Sequence, residues 1–465
     1  MRKAVLSASV CALMVAAVAA GCGSSGSSGP GGTTHSVAQT EQKGALGEKL
    51  DLSKLSPSIK YPSSPVTITY ETWQDFSKGA LPALAKEFHQ IHPNISIKFQ
   101  AVPADSAQTK LTTQIAGGNP PDVAYVDDGT VSAFAPRGAI VNLQDYMSKS
   151  KATPASDYVP AFTKMVSYQD QMYGLPIDGE STALFYRTDE FQQAGISSPP
   201  KTWAELAADA KKLTIPSKKQ YGYALFATTG ETSYYWYPFL YQAGGTQTTE
   251  DDKKAAFASP AGLKAGQFYV SLRKYSSPDL WGSDSWTARS TFATGKTAMY
   301  MAGAWFAGEM ENTFKKQIGN NWAVAPLPTE TANSPCATTI AGDALVMPSA
   351  GKNHDAAWKW MEFLSAPQNM ALLNLGTKKN PTTLLPPRTS LLNNPDTFKA
   401  NPILKPFATN MKCGITNLSD NPNWGNVDSG PLSDALAHGI YGKGNIDDEL
   451  KSAAQKADSI LQAPS

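Results

Sequence analysis

The sequence predicts an α/β protein whose chain is long enough for two lobes. The chain has 465 residues, of which 41% are hydrophobic and 17% charged. This length exceeds that of one ordinary domain, and the hydrophobic content is enough for a large core. After a polar N-terminal stretch, strand and helix patterns alternate along the chain. Such alternation is typical of mainly parallel sheets covered by helices.

The alternation is clearest in the first third of the chain. VTITYETW (66–73) alternates apolar with polar residues, which predicts a strand. Apolar residues at helical spacing follow, and His92-Pro93 ends that helix. ISIKFQAV predicts a second strand, and a helix through Leu111 and Ile115 leads to a third strand, DVAYV. Strand, helix, strand, helix, strand is the order of a wound parallel sheet.

Polar and aromatic residues follow the first and third of these strands. Gly117-Gly118 ends the second helix and Pro120-Pro121 prevents it from resuming. Ligands of open parallel sheets bind beyond the carboxyl ends of the strands. We therefore expect a binding rim at these two strand ends, with ordinary solvated loops as the alternative. The residues concerned are Trp73, Gln74, Asp75, Asp127 and Asp128.

The α/β pattern restarts after YGLPIDGESTALFYR. A helix is predicted for 202–213 and a strand for YGYALFA (221–227). The run SYYWYPFLY places six aromatic residues within nine positions. Further helices are predicted around AAWKWMEFL (356–364) and at 447–461. These patterns supply a second set of elements for a second lobe.

The aromatic and acidic residues suit a carbohydrate. Phe, Tyr and Trp make up 10% of the chain, and a sugar ring offers them an apolar face while its hydroxyls suit carboxylates. For any single Trp, packing in the core is the alternative. An acid pair could also hydrolyse a glycosidic bond, so an exported glycoside hydrolase stays open at this point. The Trp residues in predicted turns are Trp73, Trp236, Trp305 and Trp424, the last in the loop NPNWGN.

Charge and motifs exclude other classes. The net charge is +1 and no sustained basic run exists, so nucleic acid is not an expected partner. No G-x-S-x-G or H-E-x-x-H motif is present, and two nearby histidines without a third ligand predict no metal site. We expect neither a cofactor nor a metal.

The N-terminus predicts export. Arg2 and Lys3 precede a short uncharged stretch, which is typical of a signal peptide (1–21). Cys22 is followed by a Gly- and Ser-rich segment, and 22–60 reads as a flexible linker. The pattern resembles a bacterial lipoprotein signal, which implies lipidation (palmitate) at Cys22 and an anchor on the outer face of the cytoplasmic membrane. Ala19 stands where that motif usually has Leu, so simple secretion is the alternative.

Two cysteines remain in the mature chain. Cys336 and Cys413 form an even pair in an exported protein, which predicts a disulfide. Two separate buried thiols are the alternative.

Several segments in order resemble one family. KLTTQIAGGNPPDVAYVDD, AFAPRGAIVNLQDY, YGLPIDGESTALFYR, FATGKTAMYMAGAW, WAVAPLP and LLPPR resemble the extracellular solute-binding proteins of ABC importers, in the carbohydrate-binding family that includes maltose-binding protein. Each segment is weak alone, but their order and spacing are specific. The resemblance runs from about Val66 to Leu461.

This resemblance implies a two-lobed periplasmic-binding-protein-like fold with hinge strands between the lobes. It predicts an N-terminal lobe of 66–177 plus 306–365 and a C-terminal lobe of 178–305 plus 366–465. It carries these residues to the ligand site: Gln74, Asp75, Asp127, Asp128, Glu180, Trp236, Trp305, Gly342, Asp343 and Arg388. Asp343 replaces the second of two glycines that are more usual there, and Trp73 and Trp424 join the site from their own settings.

The implied function is capture without chemistry. A monomeric binding protein takes up a mono- or oligosaccharide between its lobes, closes by a hinge motion and delivers the sugar to an ABC transporter permease. No enzymatic step is expected. Besides the hydrolase, the alternative is a binding protein for a polyamine or a peptide. An acidic and aromatic site without a cation would suit a polyamine, so Arg388 facing the ligand would argue against it.

Overall fold

The computed structural model describes residues 54–463 except 78, 128, 229–231, 377–381 and 417. Within this part the strands are β1 Val66–Thr72, β2 Ile95–Ala101, β3 Val123–Asp127, β4 Ser167–Tyr168, β5 Gln171–Met172, β6 Gly174–Pro176, β7 Glu180–Arg187, β8 Met299–Gly303, β9 Trp322–Ala325, β10 Thr338–Ala341, β11 Asp343–Val346 and β12 Gly414–Thr416.

The helices alternate with these strands. They are α1 Ala80–Ile91, α2 Ala104–Ala116, α3 Thr130–Phe134, α4 Gln144–Ser148, α5 Pro160–Met165, α6 Thr188–Gln193, α7 Trp203–Leu213, α8 Thr232–Gln242, α9 Pro260–Ser271, α10 Ser285–Ala293, α11 Trp305–Asn312, α12 Lys315–Ile318, α13 His354–Ser365, α14 Pro367–Leu375, α15 Thr389–Asn393, α16 Lys405–Met411, α17 Trp424–Val427, α18 Ser433–Tyr441 and α19 Ile446–Leu461. In the described part of the chain, no helix is both long and apolar enough to cross a bilayer.

The first sheet has the strand order β2-β1-β3-β11-β6. The pairs β1–β2 and β1–β3 are parallel, as the alternating pattern predicts. Strand β11 runs antiparallel to both of its neighbours, β3 and β6. Aromatic side chains fill the layer between this sheet and α13. Tyr70, Phe88 and Trp360 make edge contacts there with ring centroids 5.1–6.0 Å apart.

The second sheet is built around the long strand β7. Its order is β12-β10-β7-β8, and β9 also pairs with β7. Strands β8, β9 and β10 all run antiparallel to β7, while β10 and β12 are parallel. The helical runs predicted at 202–213 and 447–461 are α7 and α19. The predicted strand YGYALFA is wrong, since 221–227 contains only an isolated bridge from Tyr221 to Thr297.

One antiparallel ribbon joins the two sheets. Strands β6 and β7 continue from one sheet to the other, and β10 and β11 return beside them. The register shifts by one residue between the pairs Pro176–Ala344 and Glu180–Ala341. Two residues, Asp178 and Gly179, therefore oppose Gly342 alone, which is a β-bulge at the crossing. Gly179 pairs instead with Leu385, at N···O distances of 2.8 and 3.0 Å.

The predicted division into lobes stays a prediction, and the strand pairing shows how its segments are shared between the two sheets. The chain changes sheet at 177–180. The segment 306–365 does not stay in the first sheet, since β9 and β10 pair with β7 and the return to the first sheet occurs at Gly342. A match of strand patterns in order does not reveal which distant strand each one pairs with.

The end of the predicted linker is packed on the first sheet's helical layer. The backbone N–H and the hydroxyl of Ser56 donate to the Glu362 carboxylate, at 2.8 and 2.7 Å. Ile59 is buried as well. The predicted linker 22–60 is therefore anchored at 56–59, while Cys22 and the signal peptide lie outside the described residues.

The predicted disulfide is confirmed. Cys336 and Cys413 are bonded, with Cα atoms 6.0 Å apart. They precede β10 and β12, whose parallel pairing begins at Thr338 and Gly414. The bond thus fixes an edge strand that only three pairs of residues hold in the sheet.

We predict that the double change Cys336→Ser and Cys413→Ser lowers the free energy of unfolding. The bond closes a loop of 77 residues, so its removal should cost about 4 kcal/mol through the entropy of the unfolded chain. Urea unfolding of both proteins measures the difference. Wild type treated with a reductant is the control and should behave like the double variant; equal stability of oxidised wild type and variant would contradict the prediction.

Candidate functional site

The crossing of the two sheets brings together acids and aromatic rings. Asp127 ends β3, Asp343 begins β11, and the two are paired neighbours in the first sheet. Glu180 begins β7 in the second sheet. Asp178 lies in the crossing between β6 and β7. Four carboxylates from three segments of the chain thus meet where the sheets join.

Tyr125 links two of these acids. Its hydroxyl lies 2.5 Å from Asp178 Oδ2 and 2.6 Å from Asp343 Oδ2. The backbone N–H of Asp343 also donates to Asp178 Oδ1, at 3.2 Å. Tyr125 precedes Asp127 by two residues in β3 and therefore lies on the same face of the sheet.

Burial sets the electrostatics of the pair. It raises the pKa of Asp178 to about 7, against the hydrogen bond from Tyr125, which lowers it. Burial also raises the pKa of Asp343 well above its usual range, and the charge of Asp178 adds to this increase. Two carboxylates this close, of which Asp178 is buried, cannot both be charged without a large cost in free energy. The pair therefore holds a proton at neutral pH.

Glu180 and Trp305 lie together on the second sheet's side. The hydroxyl of Tyr234 donates to Glu180 Oε1 at 3.2 Å, and burial raises the pKa of Glu180 to about 7. A side chain at Gly303 would lie 2.3 Å from Trp305 Nε1 and 2.9 Å from Glu180 Oε2. Glycine at this position lets the indole and the carboxylate approach the end of β8.

Arg289 covers the face of Trp305. Its guanidinium carbon is 4.8 Å from the indole centroid, and its Nη1 pairs with Glu309 at 3.2 Å. The contact with Arg289 holds the Trp305 indole in place. The indole is still partly exposed, so part of its surface remains accessible.

The first strand end supplies further partners. Trp73 packs edge-on against Tyr125, with ring centroids 4.5 Å apart. Gln74 Oε1 accepts a hydrogen bond from the Tyr70 hydroxyl at 3.0 Å. Asp75 is exposed and accepts from the backbone N–H and the hydroxyl of Ser77. Trp73 and Gln74 therefore contact the tyrosines of the site, while Asp75 shapes its own turn.

Asp127, the last residue of β3, is held by a hydrogen bond from a threonine. Asp127 Oδ1 accepts a hydrogen bond from Thr130 at 2.7 Å, which orients its carboxylate over the first turn of α3. Asp128 lies outside the described residues.

Gly342 has a structural reason for its identity. A Cβ there would lie 2.6 Å from the carbonyl oxygen of Asp178 and 3.0 Å from Gly179 Cα. Only glycine lets the two crossing segments touch backbone to backbone. The residue predicted as a ligand contact is therefore required for the crossing itself.

Three predicted ligand residues lie elsewhere. Arg388 is only 1% exposed, and its guanidinium donates to Asp157, Ala152 O and Ser365 O at 2.8, 2.9 and 2.6 Å. Trp236 is 0% and Trp424 3% exposed, so both pack in the core. The sequence shows that a Trp or Arg stands near a turn, but burial depends on which helices later cover it.

Three residues of the site were not among the predicted ligand residues: Tyr125, Asp178 and Tyr234. The sequence around Asp178 indicated its role, because burying a single acid in the apolar run LPIDG costs free energy unless the acid has a polar partner. The sequence around Tyr125 gave no such indication, since a tyrosine in a buried strand usually serves the core.

The site contains no evident centre for metal chemistry. Across the residues that the structure describes, no group of three His, Cys, Asp or Glu side chains is placed to hold a metal ion. The acids instead offer hydrogen-bond acceptors, or donors when protonated.

Two helix-covered sheets that exchange strands through one narrow ribbon, with polar and aromatic groups at the exchange, define a two-lobed binding protein. A solved solute-binding protein of an ABC transporter from Thermotoga lettingae, bound with α-D-tagatose, has this fold with a TM-score of 0.70. It is 27% identical, and the match covers 86% of this chain and 100% of that one. The predicted fold class is thereby confirmed.

The chain belongs to the family of bacterial extracellular solute-binding proteins, whose family model matches residues 77–371. A binding protein of Brucella abortus is 27% identical over 433 residues, which cover 90% of this chain and 99% of the relative. The maltotriose-binding protein of Pyrococcus abyssi is 25% identical over 333 residues, which cover 70% of this chain and 67% of the relative. The family consists of binding proteins, and the chain is accordingly not an enzyme.

We predict that Gly342→Ala destabilises the protein by about 1–3 kcal/mol, the usual cost of inserting a methyl group into a filled space. The new Cβ has to displace the carbonyl of Asp178. Thermal unfolding measures the loss. Gly425→Ala is the matched control, since nothing lies within 4 Å of a Cβ at Gly425. An equal effect of both changes would show that the crossing is not tightly packed.

We predict that Arg388→Met reduces stability and leaves ligand affinity unchanged. The change leaves Asp157 and two buried carbonyls without their donor, and breaking a buried pair costs about 3–5 kcal/mol. Unfolding and calorimetry measured well below the melting temperature separate the two effects. A loss of affinity in a folded Arg388→Met variant would return Arg388 to the ligand site.

Proposed function

We propose that the chain captures a mono- or oligosaccharide between its two lobes, closes over it by a hinge motion at the crossing, and delivers it to an ABC transporter permease. The observation that carries this proposal is the group of partly exposed aromatic rings and carboxylates at the crossing. Trp73 and Trp305 offer apolar ring surface, and Asp127, Glu180 and Asp343 offer acceptors for hydroxyls.

The relatives support a sugar as the ligand class. One relative is named for maltotriose, and the structure from Thermotoga lettingae holds tagatose. Closure follows from the position of the groups. Glu180 and Trp305 belong to the second sheet's side, whereas Trp73, Asp127 and Asp343 belong to the first, so a ligand that contacts both stabilises the closed state.

The proposed function also includes a location and an oligomeric state for the protein. We propose that the mature protein is a monomer held on the outer face of the cytoplasmic membrane by a lipid on Cys22. The support is the signal-like sequence before Cys22 and the anchored start of the described chain at Ser56. Mass spectrometry of the protein from its native membrane tests the lipid.

A polyamine is the second candidate ligand. Arg388 does not face the site, and no ion pair between described residues involves Asp127, Asp178, Glu180 or Asp343. Arg289 lies over Trp305 but pairs with Glu309, so the four acids of the site remain without an ion-pair partner among the described residues, which suits a ligand that carries positive charge. The test of the sugar proposal therefore includes putrescine and spermidine.

We predict that a thermal-shift screen of mono- and oligosaccharides finds a sugar that stabilises the protein and is recovered unchanged. Ligand present at about 100 times its Kd should add about 2.7 kcal/mol of stability. Trp305→Ala should weaken binding of that sugar by at least tenfold through loss of the ring contact. Trp286→Ala is the matched control, because Trp286 also packs against Arg289 but is 48% exposed. Stabilisation by polyamines and by no sugar would overturn the proposal.

A further inference from the structure

Tyr125 contacts two acids from opposite strands of the ribbon with one hydroxyl group. Asp178 belongs to the segment that leaves the first sheet, and Asp343 to the strand that returns to it. Both carboxylates approach the Tyr125 oxygen within 2.6 Å, so the two Oδ2 atoms are no more than about 5 Å apart. We call these three residues the crossing triad.

The geometry sets the smallest number of protons that the crossing triad holds. A tyrosine hydroxyl has one hydrogen, so it can donate to only one of the two carboxylates. The second short contact requires a proton on the other acid, which then donates to the tyrosine oxygen. Asp178 Oδ1 is already an acceptor for the N–H of Asp343, so the proton on Asp178, when present, lies on Oδ2.

The groups around the crossing triad favour this proton. From β3, Asp127 adds negative charge, and from β7, Glu180 does the same. Tyr70 of β1 and Tyr234 of α8 face the same space and donate to Gln74 and Glu180. The residues described around the triad contribute no ion pair to any of its acids.

The crossing triad lies at the bulge, where the ribbon is held by the fewest backbone hydrogen bonds. Ile177 N–H donates to Asp343 O at 3.0 Å, but Gly179 pairs with Leu385 rather than with the opposite strand. The hydrogen bonds that Asp178 makes with the Asp343 N–H and with Tyr125 take the place of the missing backbone pair. Charge on both acids pushes these strands apart at this point.

We propose that Tyr125 and Asp178 are positioning residues for ligand binding. The proton shared in the crossing triad holds Asp343 toward the ligand, and its loss at alkaline pH weakens binding. This inference rests on the proposed function for its ligand, since Asp343 is one of the groups proposed to bind sugar. The roles of Tyr125 and Asp178 go beyond that proposal.

The direction of the pH effect follows from proton counts. In the unfolded chain both acids release their protons near pH 4. Burial in the folded protein raises the pKa of Asp178 to about 7. The folded state therefore holds more protons between pH 4 and 7, and stability falls as the pH rises across this interval. Ligand binding that relies on the proton falls as the pH rises through about 7.

The experiment measures sugar binding by calorimetry from pH 5.5 to 8.5, with maltotriose as the first probe and the hit of the sugar screen as the second. The wild type should lose about tenfold in affinity, which corresponds to a difference of one unit in pKa between free and bound protein. Asp178→Asn should lose clearly less affinity than the wild type across the range, and any change that remains belongs to Glu180, whose pKa burial also raises to about 7. The variant's amide oxygen still accepts from Asp343 N–H, while its NH₂ permanently supplies the hydrogen to Tyr125.

Two further variants separate positioning from general stability. Tyr125→Phe removes the common partner and should weaken binding at pH 5.5, while Asp178→Asn retains it. Glu190→Gln is the matched control, because burial also raises the pKa of Glu190 to about 7, but Glu190 pairs with Arg187 away from the crossing. Its binding profile should follow that of the wild type.

A wild-type profile that is flat, an Asp178→Asn profile that falls as steeply as that of the wild type, or a Glu190→Gln profile that is flat would each overturn the inference. A ligand-free measurement keeps it separate from the proposed function. NMR titration of ¹³C-labelled Asp carboxyls should show raised midpoints for Asp178, near 7, and for Asp343, and the Asp178 midpoint is absent in Asp178→Asn. If no sugar binds at any pH, the proposed function fails, and this titration still decides the inference: midpoints all near 4 overturn it.

Discussion

The antiparallel ribbon that carries β6 into β7 and β10 into β11 is the constraint on which the rest of the structure depends. It pairs on one side of the crossing as part of the first sheet and on the other side as part of the second. The bulge between the two parts comes from one extra residue, and a bulge bends and twists a strand pair locally. The two sheets can therefore share strands without merging into one flat sheet, and Gly342 lets the backbones touch where they cross.

The same constraint explains why acids lie at the crossing, where Asp178 is buried and Glu180 and Asp343 are partly exposed. A carboxylate in an apolar interior costs free energy unless it is protonated, paired or hydrogen-bonded. Asp178, Glu180 and Asp343 each receive hydrogen bonds from Tyr125, Tyr234 or a backbone N–H. Their partners come from the first sheet and from α8, so the arrangement exists only when the ribbon brings these elements together. The cost is tolerated at a place where a ligand can supply further partners, which is typical of functional sites.

Local patterns predicted much of the fold. Strands β1 to β3 and helices α1, α2, α7 and α19 follow from periodicity and from stop signals such as Gly117-Gly118 and Pro120-Pro121. The pairing of β9 and β10 with β7 did not follow, because strand pairing over more than 130 residues leaves no mark in a local window. The strand predicted at YGYALFA fails for a related reason: an apolar run can be buried beside a sheet without joining its hydrogen bonds.

Some residues of the candidate site could likewise be predicted from local sequence, and others could not. The positions of Trp73 and Asp127 were predictable because the carboxyl end of a strand fixes where they lie, whereas Glu180 was named only through the family resemblance. The position of Arg388 was not predictable, since its place in LLPPR says nothing about Asp157, which lies more than 200 residues earlier and accepts its hydrogen bond. Arg388 pairs with Asp157 and so adds no positive charge to the site. The four acids at the crossing are therefore left without an ion pair among the described residues. Any ligand has to satisfy those acids through hydroxyls, through its own charge, or by leaving their proton in place.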